Sequence, residues 1–292
     1  MSAAGAARDA DLQVDVPSFG QLCVGIARGF AGAMLFSLPM IMTMEMWWLG
    51  FYIDPYRLAL LLVVMVPLLV RLSRYGGIRP TVSIWADVAD ALVVVAIAFT
   101  TSILLLWLLG VIGPGMPLHE IVGKTALQTF PASIGAMLAR NQLGGESRSE
   151  HEEEEKEEDA AGATYWGELF LMGVGALFLS LNVSPTEEVV LIAFKMNVWQ
   201  ELGLVALSVA LMHAFVYSID IRGSEAPRPG ETIWSIFARF AIAGYAVVVL
   251  TSLYVLWTFG RTDGTTLEEI ISATVVLSFP GAIGAAAARL IL

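Results

Sequence analysis

From Leu22 to its last residue, the chain is a succession of apolar stretches about 20 residues long, the length a helix needs to cross a bilayer. Composition agrees. Hydrophobic residues make up 57% of the 292 positions and charged residues only 15%, where a soluble domain carries about 25% charged residues. Mean hydropathy is +0.73. The chain is therefore read as an all-α, polytopic transmembrane helix bundle and not as a large soluble core.

Breaks in the apolar pattern define eight candidate helices, over 22–49, 56–73, 84–109, 119–140, 166–193, 199–219, 233–259 and 268–290. Asp54-Pro55 separates the first two, and the run from Tyr75 to Pro80 the next pair. Gly113-Pro114-Gly115 and Thr262-Asp263-Gly264 close the third helix of each half. Orientation follows from lysine and arginine near the helix ends. With the N-terminus in the cytoplasm, twelve of the sixteen basic residues fall on the cytoplasmic side; Arg57, Lys124, Lys195 and Arg261 fall on the other. Both termini are then cytoplasmic.

The net charge of −11 comes largely from one run, residues 146–159 (ESRSEHEEEEKEED), which has no apolar periodicity and reads as a solvated linker. The expected organisation is a cytoplasmic tail over 1–21, a four-helix unit over 22–143, the acidic cytoplasmic linker over 144–163, and a second four-helix unit over 164–292. The tail holds Asp9, Asp11 and Asp15 against Arg8 and lacks the basic, apolar and small-residue pattern of a secretory signal. Cys23 is the only cysteine, which excludes an intramolecular disulfide and a thiolate metal cluster.

The two units resemble each other. Residues 118–140 read LHEIVGKTALQTFPASIGAMLAR and residues 267–289 read LEEIISATVVLSFPGAIGAAAAR, matched without gaps at an offset of 149. Apolar composition would scatter Leu and Ala matches; it would not align a glutamate, a Phe-Pro pair and a terminal arginine in order. Thr101-Ser102, Trp107 and Gly110 likewise match Thr251-Ser252, Trp257 and Gly260. Gly32-Ala33, Ser37-Leu38, Thr43 and Glu45 match Gly175-Ala176, Ser180-Leu181, Thr186 and Glu188. An even number of spans per unit leaves both copies in one orientation, so they should be related by an axis along the membrane normal, as parallel repeats are.

The matched carboxylates Glu45 and Glu188 are the first candidates for chemistry, because an acid at or within the hydrocarbon is costly unless paired, hydrated or protonated. Glu187, Thr43 and Thr186 would complete a cation or proton site between the repeats. In the second copy Ser184 reads as an N-cap, with Pro185 at the first helical position and Glu187 and Glu188 in the first turn. Pro39 marks a matching break in the first copy. An interfacial reading competes: Trp47, Trp48, Phe51 and Tyr52 form an aromatic belt that would place Glu45 among the headgroups.

Glu120 and Glu269 open the fourth helix of each copy, either complementing the helix dipole or rimming a pathway, and Lys124 stands one turn from Glu120. Pro131 and Pro280 should kink mid-membrane helices and free the carbonyls of Leu127 and Val276, with Gln128, Thr129 or Ser278 near enough to compensate. Gly135 and Ala139, like Gly284 and Ala288, form small faces for close helix contact. Matching Trp85 with Trp234 sets Asp90 opposite Arg239, which predicts a salt bridge across the repeat interface. Asp87 and Asp90 also form an Asp-x-x-Asp motif, the mark of a metal-dependent membrane enzyme, but the second copy has Ile236 and Arg239 at those places. His213 has no second His or Cys at ligand spacing. No metal and no cofactor is assigned, and nothing points to nucleic acid.

The LPMIMTMEMWW segment, the two Phe-Pro-(Ala/Gly)-(Ser/Ala)-Ile-Gly-Ala blocks and the acidic join resemble an uncharacterised bacterial family of integral membrane proteins with an internal duplication. The resemblance implies a bacterial inner-membrane location and carries no reaction. The leading expectation is a transporter or channel for a small cation or proton; the second is a sensor or scaffold subunit without a pathway, and the third the metal-dependent enzyme. Lipids are the certain neighbours, and homo-oligomerisation is left open.

Overall fold

The computed structural model describes residues 19–76, 83–143, 165–220 and 237–291. Among them are helices and no strands. The first half runs α1 (Phe19–Ile41), α2 (Met44–Tyr52), α3 (Pro55–Gly76), α4 (Ile84–Leu108) and α5 (Leu118–Leu143). The second runs α6 (Tyr165–Val183), α7 (Glu188–Lys195), α8 (Val198–Asp220), α9 (Ala243–Thr258, preceded by a π-helical turn, Phe237–Ile242) and α10 (Leu267–Ile291). The same order of one long, one short and three long helices occurs twice. The N-terminal tail and the acidic linker fall almost wholly outside the described residues.

Each expected first span is in fact two helices. α1 stops at Ile41, two residues past Pro39, and Thr43 Oγ1 donates to Met40 O at 2.7 Å before α2 starts. In the second half Thr186 Oγ1 donates to Val183 O at 2.9 Å between α6 and α7. The N-cap of α7 is Glu187 and not Ser184, so the helix begins three residues later than the capping pattern suggests, and Pro185 lies in the turn. Local capping rules located the break correctly but not the first helical residue.

The remaining ends have ordinary causes. Asp54 Oδ1 accepts from the backbone of Tyr56 (2.9 Å) and Arg57 (3.0 Å), which caps α3 with Pro55 at its first position. Asn197 Oδ1 caps α8 by accepting from Gln200 N at 3.1 Å, and Asn197 N donates to Gln200 Oε1 at 2.9 Å. Gly110 and Gly260, both at φ +72°, end α4 and α9 in the left-handed conformation. Val111 N then reaches Leu106 O at 2.8 Å and Arg261 N reaches Leu256 O at 2.9 Å, closing the Schellman motif in both halves.

Packing follows a hub-and-spoke plan. α5 touches α1, α2, α3 and α4, and α10 touches α6, α7, α8 and α9. The α1–α5 and α6–α10 pairs are the most extensive contacts in the molecule, and glycine makes them possible. A Cβ on Gly135 would lie 2.4 Å from Gly32 O, and one on Gly284 would lie 2.2 Å from Gly175 O. Ala139 and Ala288 sit beside the same crossings. The small faces anticipated on α5 and α10 are therefore the surfaces on which the backbones meet.

Among the described residues, six of the long helices are long and apolar enough to cross a membrane: α1, α3, α4, α6, α9 with its π turn, and α10. α8 has a shorter apolar part, Val198–Ala214. α5 falls short because it is polar, and its position explains why that is tolerated: every residue from Gly123 to Ala139 is buried. A helix enclosed by its neighbours meets no lipid and needs no apolar surface for it.

Candidate functional site

The short helices begin at one end of the bundle, where α1 and α6 finish and α3 and α8 start. α1 is 23 residues long, or roughly 35 Å at 1.5 Å per residue, enough for a hydrocarbon core of about 30 Å. Glu45, in the first turn of α2, is half-buried; Glu187 and Glu188 are exposed. α2 packs on α5 and α7 on α10, and these two short helices share no extensive contact with each other. The hydroxyls of Thr43 and Thr186 are committed as donors to the last turns of α1 and α6.

Glu120 and Glu269, matched in sequence, have different partners. Glu269 forms a capping box at the start of α10: Thr266 N donates to Glu269 Oε2 at 2.7 Å, and Glu269 N to Thr266 Oγ1 at 3.3 Å. Glu120 instead pairs with Lys124 Nζ at 2.6 Å. Lys124 is buried, and its ammonium also donates to Val111 O at 3.4 Å, against the loop that follows α4. Gly50 of α2 lies directly on the Lys124 backbone, and a Cβ on Gly123 would sit 2.1 Å from Gly50 O. A charged pair is thus clamped beneath α2.

Below the pair, α5 continues polar. Lys124, Thr125, Gln128, Thr129 and Ser133 are all buried. Glu120, Lys124 and Gln128 repeat every fourth residue, and so do Thr125, Thr129 and Ser133, which makes two adjacent stripes. Gln128 Nε2 donates to Ser37 O on α1 at 2.8 Å. Gln128 Oε1, Thr125 Oγ1 and, on α4, Ser102 Oγ are buried with no hydrogen-bond partner among the described residues. Thr129 and Ser133 bond back to Thr125 O and Thr129 O, both at 2.7 Å. The prolines at 131 and 280 lie inside α5 and α10, as Pro39 lies inside α1, but the hydroxyl bonds of Thr129 and Ser278 go to Thr125 and Thr274, not to the carbonyls those prolines free. Sequence reading treated Gln128 as support for Pro131; its place in a stripe at helical spacing was the signal that could have marked it as more. Pro67, inside α3, was not singled out at all.

Among the described residues, the halves meet where α6 packs on α1 and α5 and where α9 meets α3, and one buried apolar cluster runs through both. Arg57 forks onto Asp263 at 2.8 and 2.9 Å, donates to Trp257 O at 2.7 Å, and lies 4.9 Å from the Trp257 ring centroid. Phe36 and Phe178 pack at 5.1 Å. Within the second half, Arg261 donates to Pro185 O, tying the loop after α9 to the turn before α7. The expected Asp90–Arg239 bridge involves a side chain outside the described residues; Asp90 itself is buried. Asp87 is buried too, held by Arg74 Nε at 3.0 Å and Ser73 Oγ at 3.2 Å. These partners compete with a metal for its oxygens.

Enclosed polar helices, glycine-mediated crossings and spans of bilayer length define an integral membrane helix bundle of the multi-pass class. The family model described as putative integral membrane protein (DUF2391) matches residues 25–292, nearly the whole chain, and the chain belongs to that family. No curated protein and no solved structure matches it.

Proposed function

We propose that this protein carries a small cation or a proton across the membrane, and that the polar stripes of α5 line its path. The observation that carries the reading is the contrast between the two central helices. α10 is the hub of the second half, as α5 is of the first, yet where α5 has Lys124, Gln128 and Ser133, α10 has Ala273, Leu277 and Ala282. Thr274 and Ser278 keep the buried hydroxyls of Thr125 and Thr129, so the hub position requires hydroxyls at most and neither the buried lysine nor the amide that α5 adds. Buried polar atoms without partners cost about 1–3 kcal/mol each, and inside membranes ionisable and polar groups concentrate along ion and proton pathways.

In this reading Glu120 and Lys124 stand at the head of the path and Glu45 lies on the adjoining short helix. Glu188, with Glu187, Thr43 and Thr186, belongs to the same end of the bundle and gathers cations there. The two halves are copies of one unit related by an axis along the membrane normal and joined by the acidic linker. Both termini face the cytoplasm of a bacterial inner membrane, as the distribution of basic residues favours.

The test is flux in proteoliposomes under imposed proton and alkali-cation gradients. Wild-type protein should dissipate at least one gradient, and Gln128→Leu and Glu45→Gln should each slow it strongly while the protein stays folded. Equal flux for wild type and both variants would contradict the path. A folded protein with no flux in any gradient would favour a sensor or scaffold.

A further inference from the structure

The second half holds a cavity of about 460 Å³. It runs from Glu188 and Gln200, near the end of the bundle, past Gly203 and Leu207 of α8 to Phe279 and Pro280, about three turns into α10. Its walls are otherwise apolar, and Glu188 is the only charged side chain lining it among the described residues.

Comparison with the first half shows that the cavity is not a consequence of the scaffold. Glu45 and Glu188 differ by 143 positions, and the helix caps Asp54 and Asn197 keep that offset. At the same offset Val183, Val189, Ile192, Gly203 and Leu204 correspond to Met40, Met46, Leu49, Leu60 and Leu61. On α5, Leu127 and Phe130 correspond to Val276 and Phe279. Met40, Met46, Leu49, Leu61, Leu127 and Phe130 are all 0–1% exposed and pack the matching space in the first half, with Leu60 at its edge, 42% exposed. In the second half, smaller side chains and Gly203 leave it open. A Cβ placed on Gly203 meets nothing within 4 Å.

We propose that this cavity binds a lipophilic organic cation: an apolar body between α8 and α10, with its positive charge at the Glu188 carboxylate. The volume is in the range of small-molecule sites. The layout, a lone carboxylate near the bundle end and apolar walls toward the middle, complements a monocation entering from the membrane and disfavours an anion of the same shape. The Oε1 of Gln200 is already engaged in the cap of α8, which leaves Glu188 as the group that sets charge preference. The inference does not rest on the α5 path: the two share only Glu188, and the walls of the cavity belong to other residues, in the second half.

The probe is tetraphenylphosphonium, with tetraphenylborate as the isosteric anion, titrated calorimetrically into purified protein with empty micelles subtracted. Saturable binding of the cation in preference to the anion is expected. Glu188→Gln should weaken it roughly tenfold, the order for losing one charge-assisted contact. Gly203→Leu should abolish it, and its fold, checked by thermal melting, should survive because Leu60 occupies the matching position. Absence of saturable binding overturns the proposal, as does equal affinity for the two ions, the result for a cleft that merely holds lipid chains. Affinity for the cation unchanged by both substitutions overturns it as well.

Discussion

At the scale of single residues, two kinds of contact dominate: backbones brought together by glycine, and charges buried with a partner. Gly135→Ala would press a methyl group onto Gly32 O and the Phe36 side chain. It should cost about 1–3 kcal/mol, as overpacking does, read as a lower unfolding midpoint in detergent. An unchanged midpoint would mean that the helices are not in backbone contact. The Glu120–Lys124 pair predicts an asymmetry. Lys124→Met leaves Glu120 half-buried and alone and should destabilise by up to about 3 kcal/mol, whereas Glu120→Gln combined with Lys124→Met should recover most of the loss. A double variant as unstable as the single one would argue against the pair. This pair was legible in sequence from its four-residue spacing; the capping box of Glu269 was not separated from it, because both start from an acid in a first helical turn.

Among the elements, the long helices were legible because apolar length alone fixes them in a membrane. The division of the first and fifth spans was only half legible. Pro39 and the Asn182–Glu188 sequence signalled disruption, but hydropathy continues across both breaks, and only the backbone shows separate short helices. Those helices depend on their neighbours' caps. Asp54→Ala should cost about 1 kcal/mol through the start of α3, measurable as a lower thermal midpoint; no shift would mean that Pro55 suffices to start the helix. The burial of α5 was not legible. Its polarity could equally have marked a helix end at an interface, and only the packing of four helices around it shows it to be a hub.

For the whole molecule, each half packs around its own hub and one buried apolar cluster joins the two, so the exposed Arg57 clamp should add little to folding. The Arg57 side chain is 19% exposed and that of Asp263 57%, and a coupling within about 1 kcal/mol is expected from a double-mutant cycle at these positions. A much larger coupling would make the clamp a determinant of the fold. The central claim is that the interior of α5 becomes accessible to water. Cys23→Ser removes the only cysteine, and single cysteines can then be placed at Gln128, in the stripe, and at Leu104, exposed on α4. Labelling in proteoliposomes with a membrane-impermeant thiosulfonate is the measurement that addresses this most directly. The account predicts that Gln128→Cys reacts and Leu104→Cys does not. A Gln128→Cys protein as inert as the Leu104→Cys control would leave α5 a sealed structural core and contradict the pathway.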